Sequence, residues 1–151
     1  MTTQVATVKP TDPLKKAILK FAVDNVTGTP VVDNRNHVLG IVTENDVLNL
    51  ILRYQSLLAN DVDPKYLLAV PMDGEAEDPE VNRINKEISE TPVEAIMKRS
   101  VLTTTPDAEI IEALRAMMTM DVNRLPVLEK GVLVGSISRS DVIFYIYRRK
   151  I

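Results

Sequence analysis

Apolar positions in the first third of the chain follow two different spacings, which together predict a small mixed unit. Residues 5–8 form a short β-prone run that ends at Pro10. Apolar side chains then recur at helical spacing, which predicts one buried helical stripe: Leu14, Ala17, Ile18, Phe21 and Ala22. Two strands are predicted at 30–32 and 38–42, joined by a polar turn, and a second helix from about Thr43 to Ala59.

The same order of elements recurs further along the chain. Pro10 and Pro30 correspond to Pro106 and Pro126, about 96 positions later. The second copy is predicted to contain a strand at 101–104, a helix from about Asp107, strands at 126–128 and 132–134, and a last helix from Ser138. A long period seen only twice indicates two half-domains that bury their faces against each other.

These two copies divide the chain into three predicted parts. Residues 1–59 form the first repeat, residues 91–151 form the second, and an acidic linker occupies 60–90. The linker is expected to be partly helical, at 65–69 and 81–89.

A lead-in segment is predicted to precede the second repeat. Residues 91–94 read as a capping box that starts a short helix through Met97. The counterpart of Met97 in the first repeat is position 1. Either the first repeat lacks this element or the sequence as given is trimmed, and the residues leave both readings open.

Composition narrows the classes of function. The 151 residues carry a net charge of −3, which gives no argument for nucleic-acid binding. The absence of cysteine excludes disulfides and thiolate metal sites. No apolar run approaches the ~20 residues that a membrane span needs, and the N-terminus lacks a signal-peptide pattern. A cytoplasmic protein without a metal site or a catalytic constellation is therefore predicted, so we expect no enzyme.

The candidate chemistry lies in a Gly-x-x-[Thr/Ser]-x-x-Asp pattern that each copy contains once. The hydroxyl of Thr43 or Ser138 falls at the start of a helix, where free backbone N–H groups favour an anion. Asp46 or Asp141 follows three residues later and can accept hydrogen bonds from a vicinal diol such as ribose. The same pattern also satisfies a helix cap without any ligand, and this alternative stays open.

In sequence the chain resembles a tandem pair of CBS domains, the module named after cystathionine β-synthase and also called a Bateman module. The residues that carry this resemblance lie in six segments: 7–10, 29–33, 40–46, 103–106, 125–129 and 135–141. The resemblance implies an α+β fold of two β-α-β-β-α half-domains related by pseudo-two-fold symmetry, with three-stranded sheets facing and helices outside. It also implies a regulatory ligand that contains adenosine, such as AMP, ADP, ATP or S-adenosylmethionine, and no cofactor that acts as a catalyst.

The resemblance further implies two clefts, each drawing on both repeats. Cleft one would comprise Thr43, Asp46, Val101, Leu102, Val122, Asn123 and Arg124. Cleft two would comprise Thr7, Val26, Thr27, Ser136, Ser138, Arg139 and Asp141. Because Arg139 stands where the first copy has Glu44, we expect cleft two to be the better phosphate site. A surface role for Arg124 and Arg139 is equally compatible with the sequence.

Self-association is the remaining expectation. Modules of this family usually pair into dimers through their helices, and residues 142–147 are apolar around much of the predicted last helix. A homodimer is therefore predicted, with a regulated protein or a fused domain as a further partner. In the alternative reading the chain is a ligand-free dimerisation or scaffolding module, in which Asp46 and Asp141 are only helix caps.

Overall fold

The computed structural model describes residues 3–58 and 79–148. The first repeat contains helix α1 (Leu14–Asp24), strands β1 (Gly28–Val32) and β2 (Val38–Thr43), and helix α2 (Glu44–Leu58). Helix α3 (Pro79–Glu90) and a 3-10 turn (Val93–Ala95) follow. The second repeat contains α4 (Ile110–Thr119), β3 (Arg124–Glu129), β4 (Val132–Ser138) and α5 (Arg139–Arg148). This arrangement confirms the predicted α+β class, and no described helix is both long and apolar enough to cross a bilayer.

Each repeat is built on an antiparallel hairpin, and the predicted third strand is reduced to one bridging residue. Val8 bridges Val31 in parallel, and Thr104 bridges Val127 in the same way. Proline explains the short pairing, because the next ladder bonds on either side of Val8 would need an N–H from Pro30 or from Pro10, and proline has none. Pro126 and Pro106 have the same effect around Thr104.

The pseudo-two-fold axis passes through a bridge between the two hairpin turns. His37 bridges Val132, which is its own counterpart in the second repeat. The two hydrogen bonds that flank this bridge are also equivalent by the repeat symmetry. The N–H of Leu133 donates to the carbonyl of Asn36 at 2.9 Å, and the N–H of Val38 donates to the carbonyl of Gly131 at 3.2 Å. The two repeats therefore join through equivalent residues.

The end of the predicted linker and the turn that follows it contribute to the core of the first repeat. Ile84 and Ile88 of α3 and Val93 of the 3-10 turn are buried in one cluster with Leu14 and Val42. Residues 81–89 are helical within α3, as predicted, while the predicted helix at 65–69 lies outside the described residues. The division of the chain at residues 59/60 and 90/91 into two repeats and a linker stays a prediction.

The predicted cap at Thr91 is wrong, and Asp12, which precedes the first helix, does not cap that helix either. The Thr91 hydroxyl donates to the carbonyl of Glu87 at 2.8 Å, so it closes the end of α3 and does not cap the following turn. The Asp12 carboxylate accepts the N–H of Lys9 at 2.7 Å, and Pro13 takes the cap position of α1 without a side-chain bond. In both places a carboxylate or hydroxyl finds a nearer backbone partner than the one the pattern suggests.

The last helix exposes the apolar face expected from its sequence. Val142 is buried, whereas the next five side chains are exposed: Ile143, Phe144, Tyr145, Ile146 and Tyr147. Phe144 is 69% exposed. Within residues 3–58 and 79–148, one side of α5 therefore has no apolar cover.

Candidate functional site

The first copy of the motif forms a closed cap at the start of α2. One carboxylate oxygen of Asp46, Oδ2, accepts the N–H and the hydroxyl of Thr43, each at 2.9 Å. The N–H of Asp46 donates in return to the Thr43 hydroxyl oxygen at 3.3 Å. In this repeat the motif therefore caps the helix, and the cap uses one oxygen of the carboxylate.

The second oxygen of Asp46 lies close to a cation. Nζ of Lys98 is 3.7 Å from Oδ1, and the Asp46 side chain is only 6% exposed. Lys98 also pairs by two backbone hydrogen bonds with Ile41 on the edge of β2. The lead-in segment thus covers the first repeat, which leaves Asp46 little access to a diol.

The second copy of the motif forms a similar cap with two of the three hydrogen bonds, and its carboxylate is more open. The N–H of Ser138 donates to Oδ2 of Asp141 at 2.9 Å, and the N–H of Asp141 donates to the Ser138 hydroxyl oxygen at 3.1 Å. Asp141 is partly exposed. Within residues 3–58 and 79–148 no cation forms an ion pair with it, so its second oxygen stays available.

An arginine and a serine lie at the same end of the hairpin as Ser138. Nη1 of Arg124 donates to the hydroxyl oxygen of Ser136 at 2.9 Å, and Arg124 is the register partner of Ser138. Leu125 and Ile137 pack with the core of the repeat, so their strand neighbours Arg124 and Ser136 lie on the opposite face of the hairpin. Ser136 is nevertheless 2% exposed, as expected for a position between the two sheets.

Arg139 forms hydrogen bonds with residues at the carboxyl end of α4. Nε donates to the carbonyl of Val122 at 3.1 Å, and Nη2 to the carbonyl of Met117 at 3.4 Å and to the Asp121 carboxylate at 3.3 Å. These acceptors lie at the carboxyl end of α4, where a cation is favoured by the helix dipole. Of the two arginines named from the sequence, Arg124 is the one with most of its donors unused.

The structure groups the predicted cleft residues by repeat. The Thr27 carbonyl accepts the N–H of Glu44 at 2.9 Å, and the Asn123 carbonyl accepts the N–H of Arg139 at 3.0 Å. Each segment before the first hairpin strand therefore lies against the motif of its own repeat, because a hairpin brings the start of one strand beside the end of the next.

Five of the predicted cleft residues have neighbours in their own repeat, and their place in a cleft with the other repeat stays a prediction. The structure places them as follows: Val122, Asn123 and Arg124 stand beside the Asp141 motif, Thr27 beside Thr43, and Val26 in the first core.

Two other expectations concern the start of each repeat. Thr7 does cross to the second repeat, where it lines a polar cavity of about 80 Å³ with Asn36 and Gly135. Val101 and Leu102 form no hydrogen bond with the Asp46 motif in the part of the chain that the structure describes. The roles of all these residues toward a ligand stay predictions.

Lys98 is the functional neighbour that sequence reasoning missed. It directly follows the predicted lead-in to the second repeat, yet it pairs with the first. A signal for it exists in Gly40, because a Cβ at this position would lie 2.6 Å from the Lys98 carbonyl oxygen. The glycine of the motif therefore permits close approach of a chain segment here.

Comparisons with known proteins agree with this architecture. The CBS domain family profile matches residues 1–53 and 93–148. The uncharacterized protein MJ1426 of Methanocaldococcus jannaschii is 27% identical over 128 residues, which is 82% of this chain and 74% of that protein.

Two solved structures are similar over nearly the whole chain. CBSX2 in complex with AMP has a TM-score of 0.70 and 23% identity, covering 100% of this chain and 95% of that one. Protein MJ1225 of Methanocaldococcus jannaschii has a TM-score of 0.69 and 25% identity, covering 97% of this chain and 45% of that one. With two matched segments, a hairpin in each and equivalent residues at the junction, the chain belongs to the CBS domain family as a tandem pair.

Proposed function

We propose that this chain is a non-enzymatic regulatory module that binds an adenosine-containing ligand and transmits binding as a change in the packing of its two repeats. The ligand would be AMP, ADP, ATP or S-adenosylmethionine. The proposal is supported by membership of the family and by the AMP bound to the similar protein CBSX2.

The observation that carries the proposal is a polar group present in the second repeat alone. Arg124, Ser136, Ser138 and Asp141 offer a cation, two hydroxyls and a carboxylate oxygen at one end of the β3–β4 hairpin. At the positions of Arg124 and Ser136 the first repeat has Gly28 and Ile41, which offer no polar side chain. The Asp141 side is therefore the proposed ligand site, with Arg124 toward a phosphate and Asp141 toward the ribose.

A thermal-shift panel tests the proposal directly. Adenosine, AMP, ADP, ATP and S-adenosylmethionine are added to the 151-residue chain at increasing concentrations. A ligand at ~100 times its dissociation constant stabilises the fold by roughly 2.7 kcal/mol, which for this size corresponds to a rise in Tm of roughly 5–11 °C. If no adenosyl compound moves the Tm, the proposal is wrong.

A pair of matched variants locates the site. Asp141→Asn keeps an oxygen that can accept the Ser138 N–H, so the cap survives while the second acceptor oxygen is lost. We expect the unliganded Tm to change little and the ligand-induced rise to disappear. Asp46→Asn is the control, because that carboxylate is already closed off by Lys98. The opposite pattern would place the ligand in the first repeat.

We propose in addition that the chain forms a homodimer through its helices, an arrangement that would also suit a scaffolding role. The exposed apolar side of α5 supports this, with Phe144 at its centre. Light scattering after size exclusion should give about twice the 16.8 kDa chain mass. Phe144→Glu should reduce the mass to that of one chain, whereas Phe144→Leu should leave it unchanged. A monomeric wild-type chain would contradict the proposal.

A further inference from the structure

The second repeat contains an apolar cavity between its helices and its hairpin. Its volume is about 260 Å³, and its lining is mostly apolar: Thr104, Thr105, Pro106, Ala108, Ile110, Ala113, Val127, Ile137, Asp141 and Tyr145. Val127 and Ile137 point to the helix side of β3 and β4, so the cavity lies on the face opposite Arg124 and Ser136. It is smaller than the ~300 Å³ at which small-molecule sites usually begin, which favours a few side chains as its occupant.

The first repeat shows what fills the equivalent space. The counterparts of Ile110, Ala113, Val127, Ile137 and Tyr145 are Leu14, Ala17, Val31, Val42 and Leu50. All five are buried there, and they share one cluster with Ile84, Ile88 and Val93. Leu50 is 6% exposed, whereas its counterpart Tyr145 is 38% exposed. In the described part of the second repeat no helix and turn cover the cavity in this way.

The covering segment also brings a charge to the first repeat. Lys98, five residues after the buried Val93, places its Nζ 3.7 Å from Asp46. The counterpart carboxylate, Asp141, lines the open cavity, and no described cation pairs with it. Among the described residues, the cavity of the second repeat therefore has neither the aliphatic side chains nor the lysine that the first repeat has.

We propose that this cavity is a docking site for a segment of a partner polypeptide, an amphipathic helix followed by a turn. The segment carries two aliphatic residues one helical turn apart. A valine preceded by proline follows the second of them by five residues, and a lysine follows the valine by five residues. It presents to the second repeat what residues 84–98 present to the first. The aliphatic residues fill the cavity, and the lysine pairs with Asp141. Because the proposed adenosyl ligand would use the same carboxylate oxygen, the segment and the ligand would compete for Asp141.

The chain itself supplies the probe. A fluorescent peptide of residues 79–98 is titrated into the full 151-residue protein and followed by anisotropy. We expect saturable binding that is lost when the peptide carries Ile84→Asp and Ile88→Asp. The Lys98→Met change in the peptide and the Asp141→Asn change in the protein should each weaken binding about two- to fivefold. The two changes combined should weaken binding no further, since both remove the same ion pair.

Two cavity variants show where the peptide binds. Ala108 lies half-exposed in the loop at the cavity, so Ala108→Trp fills the space from a tolerant position, while Ala113→Phe fills it from α4. Each should weaken peptide binding at least tenfold. Arg115→Trp is the control, because Arg115 is exposed on α4 and does not line the cavity; binding should stay within twofold.

Three outcomes would overturn the proposal. One is the absence of peptide binding to the wild-type protein. Another is peptide binding that Ala108→Trp leaves unchanged. The peptide would then replace residues 79–98 of the protein on the first repeat and would not occupy the cavity. The third is a wild-type dimer that Ala108→Trp converts to a folded monomer, because a second copy of this chain would then occupy the cavity.

Discussion

Gly40→Ala tests whether the lead-in segment is held to the first repeat by close backbone approach. A Cβ at Gly40 would lie 2.6 Å from the carbonyl oxygen of Lys98 and 3.0 Å from the sulfur of Met97. Because the first of these atoms belongs to the backbone, a rotamer change cannot relieve the clash. The segment has to move away from β2.

The cost follows from what that movement breaks. The N–H of Ile41 donates to the Lys98 carbonyl at 2.9 Å, and the N–H of Lys98 donates to the Ile41 carbonyl at 2.8 Å. Each bond contributes about 1 kcal/mol, and the displaced Met97, which packs on the first core, adds a similar amount. We expect a loss of about 2–4 kcal/mol in the free energy of unfolding, or roughly 4–16 °C in Tm for a chain of this size.

Urea denaturation and a thermal melt of Gly40→Ala measure this loss, with Gly28→Ala as the matched control. A Cβ at Gly28 would meet the Thr43 side chain at 3.2 Å, and that side chain can give way. The control should stay within about 1 kcal/mol of the wild type. Equal stability of the two variants would refute the claim that the segment is held by backbone approach at Gly40.

Three further predictions concern single side chains. Thr29 is fully buried with no hydrogen-bond partner for its hydroxyl among the described residues, so Thr29→Val should raise the free energy of unfolding by about 1 kcal/mol in urea titrations; a loss would contradict this. Lys98→Met should lower it by about 0.5–1 kcal/mol at low salt and by less at 1 M NaCl, and a salt-independent loss would argue against the ion pair with Asp46. The pKa of Asp33 lies below its ordinary value of 3.8, chiefly because the His37 backbone N–H donates to its carboxylate. Its stabilising effect is therefore complete above pH 3.8 and is lost as the pH falls through the lower folded pKa, so the Tm deficit of Asp33→Ala should shrink in that acidic range and not above it.

The hairpins, the helices and the tandem symmetry could be predicted because they depend on local patterns that occur twice. Apolar spacing marked α1 and α4, and the repeated prolines set the register between the copies. The same prolines could have shown that the third strand would shorten to one bridge. That inference needs the pairing partner of Val8, which spacing alone does not provide.

Placement of the site residues was harder to predict because it depends on which segment crosses to which repeat. Lys98 lies in the stretch assigned to the second repeat but pairs with the first. The role of Arg139 was also hidden, since the end of α4 that it caps lies 20 or so residues earlier in the chain. Arg124 could have been assigned to the Asp141 side by the hairpin rule, because β3 and β4 are joined by a short turn.

The motif alone does not decide whether its carboxylate is open. Thr43–Asp46 and Ser138–Asp141 share two cap bonds, and yet one carboxylate is closed by Lys98 and the other has no described cation. The difference comes from a segment outside the motif, because residues 84–98 fill the first repeat and pair with its aspartate. Removing the lysine should therefore make the first aspartate resemble the second. In Lys98→Met, an adenosyl ligand that depends on an unpaired carboxylate should gain affinity at Asp46, provided that Ile41 does not block it. Unchanged stoichiometry in calorimetry would show that Arg124 and Ser136, which the first repeat lacks, are required as well.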